Sequence, residues 1–292
     1  MLLRMSTFSP LVGIIVLNYN GRDCLHRSLA SLRQLRYRNF FVVVVDNGSQ
    51  DDSLQSAKEA FPEFSYCENE ENLGFAAGMN IGLREVFVVR QAEWAWLFNN
   101  DAIAQEDALT RLIEVASEER NVGLLSPTIF DTEEKLWFGK GRIDTLRMCA
   151  AHEAPSVEEW RKASYPSSFL TGCALLIKKE VFEKVGPLDP RFFLYYEDAD
   201  YSIRSQDAGF RMLVVPSARV RHQEQSRKNP QKLYHLVLSG LLFFHKHASW
   251  WQKPYFLLYG TIRRIKNAVD IMRGRDDALV VRRAYHDFYH GL

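Results

Sequence analysis

An α/β fold with a mostly parallel central sheet and a helical, basic and aromatic C-terminal appendage is the architecture this sequence predicts, on three observations. Val12 to Leu17 and Phe40 to Val45 are unbroken apolar runs rich in β-branched residues, the pattern of strands covered on both faces. Between them Leu25, Leu29, Leu32 and Leu35 recur at spacings of four, three and three. That spacing puts one apolar stripe on a helix and makes the segment a β-α-β unit, whose strands run parallel. Finally, polar residues cluster where the runs end, at Asn18-Tyr19-Asn20, Asp46-Asn47-Gly48 and Asn99-Asn100-Asp101. Ligands of open α/β sheets bind at the carboxyl ends of strands, so Asn18, Asp46 and Asp101 are expected to converge on one crevice.

The remaining elements follow in order. A capped helix is expected after Ser49, a short strand near Phe64 to Cys67, a helix after Gly74, and a Trp-rich strand over Trp94 to Phe98. Beyond a strand-like Val122 to Leu125, the stretch from Asp131 to Ser168 mixes Gly, Pro, charge and isolated aromatics without a period, and reads as an irregular insertion or lid. Order returns with a strand over Gly172 to Ile177, a short helix from Lys179, the motif Phe192 to Gly209, and a strand over Phe210 to Val215. The main domain is drawn at residues 11–226 and a helical region at 227–292.

The 292 residues are 47% hydrophobic and 25% charged, with 19 Phe, 12 Tyr and 6 Trp, which supplies a buried core and excludes a disordered or low-complexity chain. The formal net charge of +1 conceals a split. Up to Val220 there are 24 Lys and Arg against 31 Asp and Glu, whereas Arg221 to Leu292 holds 13 against 5. A basic tail points to an anionic partner. Leu233 to Phe244 is an uncharged run of 12 residues, short of the ~20 that a spanning helix needs. Trp250-Trp251 and Tyr255 to Tyr259 beside Arg263-Arg264 are what a segment at an anionic membrane surface uses; the other reading is a helical hairpin packed on the main domain. The aromatics are blocked with aliphatics rather than interleaved with cations, which argues against nucleic acid. Cys24, Cys67, Cys149 and Cys173 form no C-x-x-C pair, so neither a zinc site nor a disulfide framework is indicated and a reducing compartment is the simpler expectation.

Several residues carry chemistry. Asp46 can accept hydrogen bonds from a base or ribose, or can serve as part of a helix cap with Ser49 and Asp51. Asn72 to Asn80 opens a helix with Gly74 and Gly78, so backbone N–H groups can face an anion or nucleotide. The G-x-G-x-x-G spacing of a dinucleotide site is absent. Asn99-Asn100-Asp101 offers a carboxylate and two amides for a hard divalent cation, or forms a simple strand-end turn. Glu197, Asp198 and Asp200 crowd three carboxylates behind an aromatic wall, where one proton affinity can rise toward that of a general base. Asp200 pairs with Arg204 at i, i+4 and reads as architectural. His222, in Arg219 to Ser226, can add an imidazole to a carboxylate metal site.

In this order, Val16 to Asn20, Val45 to Ser49, Asn72 to Phe75, Asn99 to Asp101, Thr171 to Ala174 and Tyr196 to Asp200 resemble glycosyltransferase family 2, most of all its bacterial rhamnosyltransferase-like branch. The resemblance covers Val12 to Ser226 and implies a GT-A fold. It implies that Asn18, Tyr19, Asn20 and Asp46 line the base and ribose, that Asn72, Gly74 and Asn80 lie beside the nucleotide, and that Asn99 and Asn100 meet the nucleotide sugar. Asp101 matches the last acid of the family's D-x-D motif, while Asn99 departs from its first. Asp101 and His222 would hold Mn2+ or Mg2+, Glu197-Asp198 matches the acidic pair whose second member is the catalytic base, and Gly172 and Cys173 would sit beside the acceptor. The implied reaction is an inverting transfer, with rhamnose as one donor sugar, from a dTDP- or UDP-sugar to a glycan or lipid-linked glycan for cell-surface polysaccharide, in the cytoplasm at the inner face of the plasma membrane. The competing expectations are a sugar nucleotidyltransferase and a non-catalytic, membrane-associated member of the fold.

Overall fold

The computed structural model of this chain describes residues 9–223 and 229–291. The chain first alternates strand and helix: β1 (Val12–Asn18), α1 (Leu25–Arg33), β2 (Phe40–Asp46), α2 (Ser53–Ala60), β3 (Ser65–Glu68), α3 (Gly74–Arg84) and β4 (Trp94–Asn99). Then come β5 (Ala102–Ala104), α4 (Ala108–Glu118) and the long β6 (Val122–Phe130). Next are β7 (Leu136–Phe138), β8 (Lys140–Asp144), β9 (Cys149–Glu153), the single turn α5 (Val157–Trp160) and β10 (Tyr165–Pro166). β11 (Ala174–Lys178), α6 (Lys179–Val185), α7 (Glu197–Asp207) and β12 (Arg211–His222) complete the sheet, and α8 (Pro230–His247), α9 (Lys253–Met272) and α10 (Asp277–His290) follow.

The main sheet runs β10-β12-β6-β11-β4-β1-β2-β3, with β5 on β12 and β7 on β6. β1 pairs in parallel with β2 and β4, and β2 with β3, as the unbroken apolar runs require. β11 is antiparallel to both β4 and β6. This reversal brings the later half of the chain beside the strand ends of the first. Leu25, Leu29, Leu32 and Leu35 are all buried, which is the stripe that their spacing describes.

Three sequence expectations change. The helix after Ser49 starts at Ser53, because Ser49 is engaged with Asp46 instead. The stretch 131–168 is not irregular: it holds β7, the β8–β9 hairpin, a capping box on α5 formed by Ser156 and Glu159, and β10. Elements of two to five residues are too short for a hydrophobic period to register. The last strand extends to His222 across Pro216, where the register against β6 shifts between Val215 and Arg219. The proposed boundary at residue 226 lies outside the described residues.

The two readings of the C-terminal region divide between helices. Phe243 and Phe244 of α8 are buried in the core of the main domain, and Ser239 Oγ donates to the Leu194 carbonyl at 2.8 Å. At the end of α8, Lys246 Nζ lies 2.6 Å and His247 Nε2 2.8 Å from the fully buried carboxylate of Asp200, which Arg204 also holds at 2.8 Å. His247 therefore is not a surface residue of the tail. By contrast α9 buries only Gly260 and Asn267 and leaves Leu257, Leu258, Ile262 and Ile265 exposed.

Burial raises the proton affinity of Asp200, and His247, Lys246 and Arg204 outweigh it, so the carboxyl is held below its ordinary range. The stability this contributes is present above the ordinary carboxyl pKa and is lost as pH falls through the lowered one. Asp200→Ala is expected to lower stability by about 3 kcal/mol, the scale for removing one partner of a buried charge cluster, and Lys246→Ala by clearly less, because Arg204 and His247 remain. Urea denaturation of both variants at neutral pH measures the difference.

Candidate active site at the strand ends

The ends of β1, β2 and β4 are tied by a chain of side-chain hydrogen bonds. Asn100 Nδ2 donates to Asn18 Oδ1 at 3.1 Å, and Asn18 Nδ2 donates to Asp46 Oδ1 at 2.8 Å and to Ser53 Oγ at 2.9 Å. The Ser49 N–H donates to Asp46 Oδ2 at 2.9 Å and its hydroxyl to Oδ1 at 2.7 Å. Asn18 and Asp46 are buried, so their polar atoms hold the turns together rather than face an opening. Tyr19 and Asn20 stand exposed on top of this network. Asn72 Oδ1 accepts from Asn47 and from the Gly74 N–H, both at 2.9 Å. Gly74 has φ 82°, and a Cβ there would come within 2.5 Å of the Phe193 carbonyl oxygen. Asn80 bonds both backbone groups of Leu188, at 2.8 and 2.9 Å, which commits its amide to the chain.

Asp101 and His222, far apart in sequence, are brought together because β12 pairs antiparallel with β5, His222 opposite Ala102. His222 Nε2 lies 3.0 Å from Asp101 Oδ1. Yet Asp101 Oδ1 and both ring nitrogens of His222 are buried without a hydrogen-bond partner of proper geometry. Burial pushes the Asp101 carboxyl up, and the His222 imidazole with the charge of Lys232 more than offsets this, so Asp101 stays ionised below the ordinary carboxylate range. Among the described residues no group of three His, Cys, Asp or Glu side chains forms a metal cage.

Glu197 and Asp198 open α7 just after two residues with left-handed backbone, Tyr195 at φ 71° and Tyr196 at φ 68°. Two consecutive non-glycine residues there store strain that surrounding packing must hold; the Tyr196 ring lies 5.2 Å from that of Phe243 on α8. Asp198 Oδ2 accepts from the Gly172 N–H at 2.8 Å and Oδ1 from the Ala199 N–H at 2.7 Å. Burial pushes its carboxyl up, and these N–H groups and His152 pull it part of the way back. Glu197 is 5% exposed, and its Oε2 has no partner. Burial, then the Asp198 charge, push its proton affinity well above the ordinary value.

A cleft of about 300 Å3 joins these groups, lined by Asn99, Asp101 and His222 on one side and by Gly172, Cys173, Glu197 and Asp198 on the other. Asn18, Tyr19, Asn20, Asp46, Asn72, Gly74, Asn80 and Asn100 do not line this cleft; Asn18 and Asp46 form a buried network that reaches Asn100, next to Asp101. The cleft also includes residues that sequence reasoning missed. Trp137 stands between two imidazoles, its ring 4.5 Å from those of both His152 and His222. Both Trp137 and His152 come from the aperiodic stretch, where an isolated aromatic and a lone histidine were the only signals. Lys232 and Leu236 enter from α8.

Because burial raises the proton affinity of Glu197, its stability contribution has a definite sign with pH. Native protein holds that proton to higher pH than unfolded chain does, so stability falls as pH rises from the unfolded pKa toward the raised one. Glu197→Gln, a neutral isostere, is expected to gain on the parent by ~1 kcal/mol or more between pH 5 and pH 8, each tenfold change in proton affinity being ~1.4 kcal/mol. Thermal melts of the two proteins at both pH values check this; a gap independent of pH would contradict it.

The comparisons agree with this geometry. The chain matches the family model "Glycosyl transferase family 2" over residues 13–186. It is 26% identical over 270 residues to the N-acetylglucosaminyl-diphospho-decaprenol L-rhamnosyltransferase of Mycobacterium tuberculosis, covering 84% of this chain and 88% of that one. It is 23% identical to the dTDP-rhamnosyl transferase RfbF of Shigella flexneri over 244 residues, 80% and 79% of the two chains. Among solved structures, the mannosyltransferase PcManGT of Pyrobaculum calidifontis in complex with GDP-Man and Mn2+ superposes with a TM-score of 0.60 at 16% identity, covering 97% of this chain and 88% of that one. GalNAc-T7 with UDP, GalNAc and Mn2+ does so with a TM-score of 0.65 at 18% identity over 80% and 48%. The family model spans more than half of the chain, and the chain belongs to glycosyl transferase family 2.

Proposed function

We propose that this enzyme transfers rhamnose, with inversion, from a dTDP- or UDP-sugar to a hydroxyl of a lipid-linked glycan, in the building of cell-surface polysaccharide. The observation that carries the reading is the cleft itself: one carboxylate oriented by two backbone N–H groups, Asp198, opens into the same space as the Asp101–His222 pair. The names of the Mycobacterium and Shigella relatives support the sugar, the nucleotide and the lipid-linked acceptor.

In this reading Asp198 is the base. It takes the proton of the acceptor hydroxyl while the oxygen bonds to C1 of the sugar. The bond from C1 to the diphosphate oxygen breaks on the opposite face, and the nucleoside diphosphate leaves with the electron pair. Asp198 is fitted to this by its partly exposed position and raised proton affinity. Gly172 orients the base through its N–H, and with Cys173 it lines the acceptor side. Tyr19, Asn20 and Asn99 meet the nucleotide sugar; Asn18, Asp46, Asn72, Gly74 and Asn100 hold the turns that present them.

The Asp101 carboxylate and the His222 imidazole, buried side by side, fit a divalent cation, Mn2+ or Mg2+, whose other positions phosphate oxygens and water would complete. Such an ion would supply positive charge against the departing diphosphate. The outer face of α9 sets exposed Leu257, Leu258, Ile262 and Ile265 among Arg263, Arg264 and Lys266, with Trp250 and Trp251 exposed just before it. This supports peripheral docking on an anionic membrane, at the cytoplasmic face. Among the described residues no helix is long and apolar enough to cross a membrane.

Asp198→Asn is expected to lose ~10²- to 10⁴-fold in kcat while keeping the thermal stabilisation given by dTDP-rhamnose with Mn2+. Asp101→Asn is expected to lose the increment that Mn2+ adds to that stabilisation. Nucleoside diphosphate release and melting curves with and without the ion separate the two roles; near-normal turnover in Asp198→Asn removes it as the base. In flotation with phosphatidylglycerol vesicles, the parent is expected to rise with the lipid and a Trp250→Ser, Trp251→Ser, Leu258→Ser variant to stay below. Equal recovery of both would sink the docking role of that face.

A further inference from the structure

A second opening of about 440 Å3 lies between α8, α9 and α10. Its walls are apolar, with Met148 from the β8–β9 turn, Leu241 and Leu242 from α8, Phe256 and Leu257 from α9, and Phe288 from α10. The other groups that line it include the basic side chains of His245 and Lys253 and, among the described residues, no acid. A groove of this kind suits a hydrocarbon chain that ends in an anion. We propose that it seats the isoprenoid chain of a polyprenyl-diphosphate-linked acceptor, an inference that rests on the lipid-linked acceptor proposed above.

Position argues for this occupant. The groove and the catalytic cleft share two elements. Met148 lines the groove and Ala150, two residues on, lines the cleft; Leu241 and Leu242 line the groove and Leu236 lines the cleft. Two extended residues span ~7 Å, so the β8–β9 turn brings a rim of the groove close to a rim of the cleft, while Leu236 and Leu241, five helical residues apart, put the two openings on different sides of α8. Tyr196, beside the proposed base, packs against Phe243 and Phe244 of α8 along the same path. At the other end Leu257 belongs both to the groove and to the exposed apolar face of α9. A chain leaving the groove there would pass directly from protein to bilayer without crossing water, which is the low-cost route for a long apolar tail. A phospholipid acyl chain would fill the same walls, yet nothing would place its headgroup toward a cleft built for sugar transfer.

The test uses the full chain and a farnesyl diphosphate carrying a benzophenone, with cross-linked peptides mapped by mass spectrometry. Labelling is expected on the peptides that hold Met148, Leu241-Leu242 or Phe288, and excess geranylgeranyl diphosphate should displace it while phosphatidylglycerol at equal concentration does not. Leu242→Trp, which fills the groove, should weaken labelling about tenfold. Should that variant melt early, Ala248→Trp, at the end of α8 and outside both the buried core and the docking face of α9, makes the same test. In turnover, either variant should raise KM about tenfold for a prenyl-diphosphate sugar acceptor and leave a chainless sugar acceptor unchanged. Labels elsewhere, equal displacement by phosphatidylglycerol, or equal effects on both acceptors overturn the proposal. Absence of nucleoside diphosphate release with every acceptor would instead count against the proposed reaction, and the labelling pattern alone would then decide the groove.

Discussion

The Asp200 carboxylate is the interaction on which the rest of this structure depends. It is fully buried in the first turn of α7, and three basic side chains from two helices converge on it: Arg204 on α7 itself, and Lys246 and His247 at the end of α8. A buried charge so surrounded fixes the rotation of α7, and with it the direction of Asp198 two residues earlier. It also pins α8, which supplies Lys232 and Leu236 to the cleft and Leu241 and Leu242 to the second groove. Desolvating one carboxylate thus sets the geometry of two cavities.

Three acids within four residues would repel one another if all were treated alike, and the fold treats each differently. Glu197 is buried, and burial raises its affinity for a proton because ionisation there is costly. Asp198 is stabilised as an anion by the N–H groups of Gly172 and Ala199, which leave it partly open to the cleft. Asp200 is met by full cationic charge. The result is a single usable carboxylate in a dense acidic segment, reached through a left-handed turn at Tyr195 and Tyr196 that only tight packing against α8 sustains.

Much of this was readable residue by residue. The β1 and β2 runs and the α1 leucines are legible because burial on both faces of a sheet, or on one face of a helix, leaves a periodic mark. The Asp200–Arg204 pair was legible because its spacing is local. His222 could be suspected from its residue type and family resemblance, but its 3.0 Å approach to Asp101 arises from the β5–β12 register, a pairing over more than a hundred residues. Asn80 and Asp46 looked like ligand groups for the same reason that they are good framework: a short polar side chain at a strand end or helix start bonds equally well to a nucleotide or to backbone. Trp137 and His152 were hidden because β7 and β9 are too short to carry a pattern.

The sequence alone determined the α/β class, the family membership, and the set of polar residues that stand at strand ends, since each of these is recorded in runs and motifs a few residues long. Tertiary structure alone decided which of those residues open onto the cleft, which are consumed by the chain's own hydrogen bonds, and that α8 belongs to the main domain while α9 keeps an exposed apolar face. The physical reason is that access to solvent or substrate depends on what distant segments cover, and coverage is a property of packing between elements that no local pattern encodes.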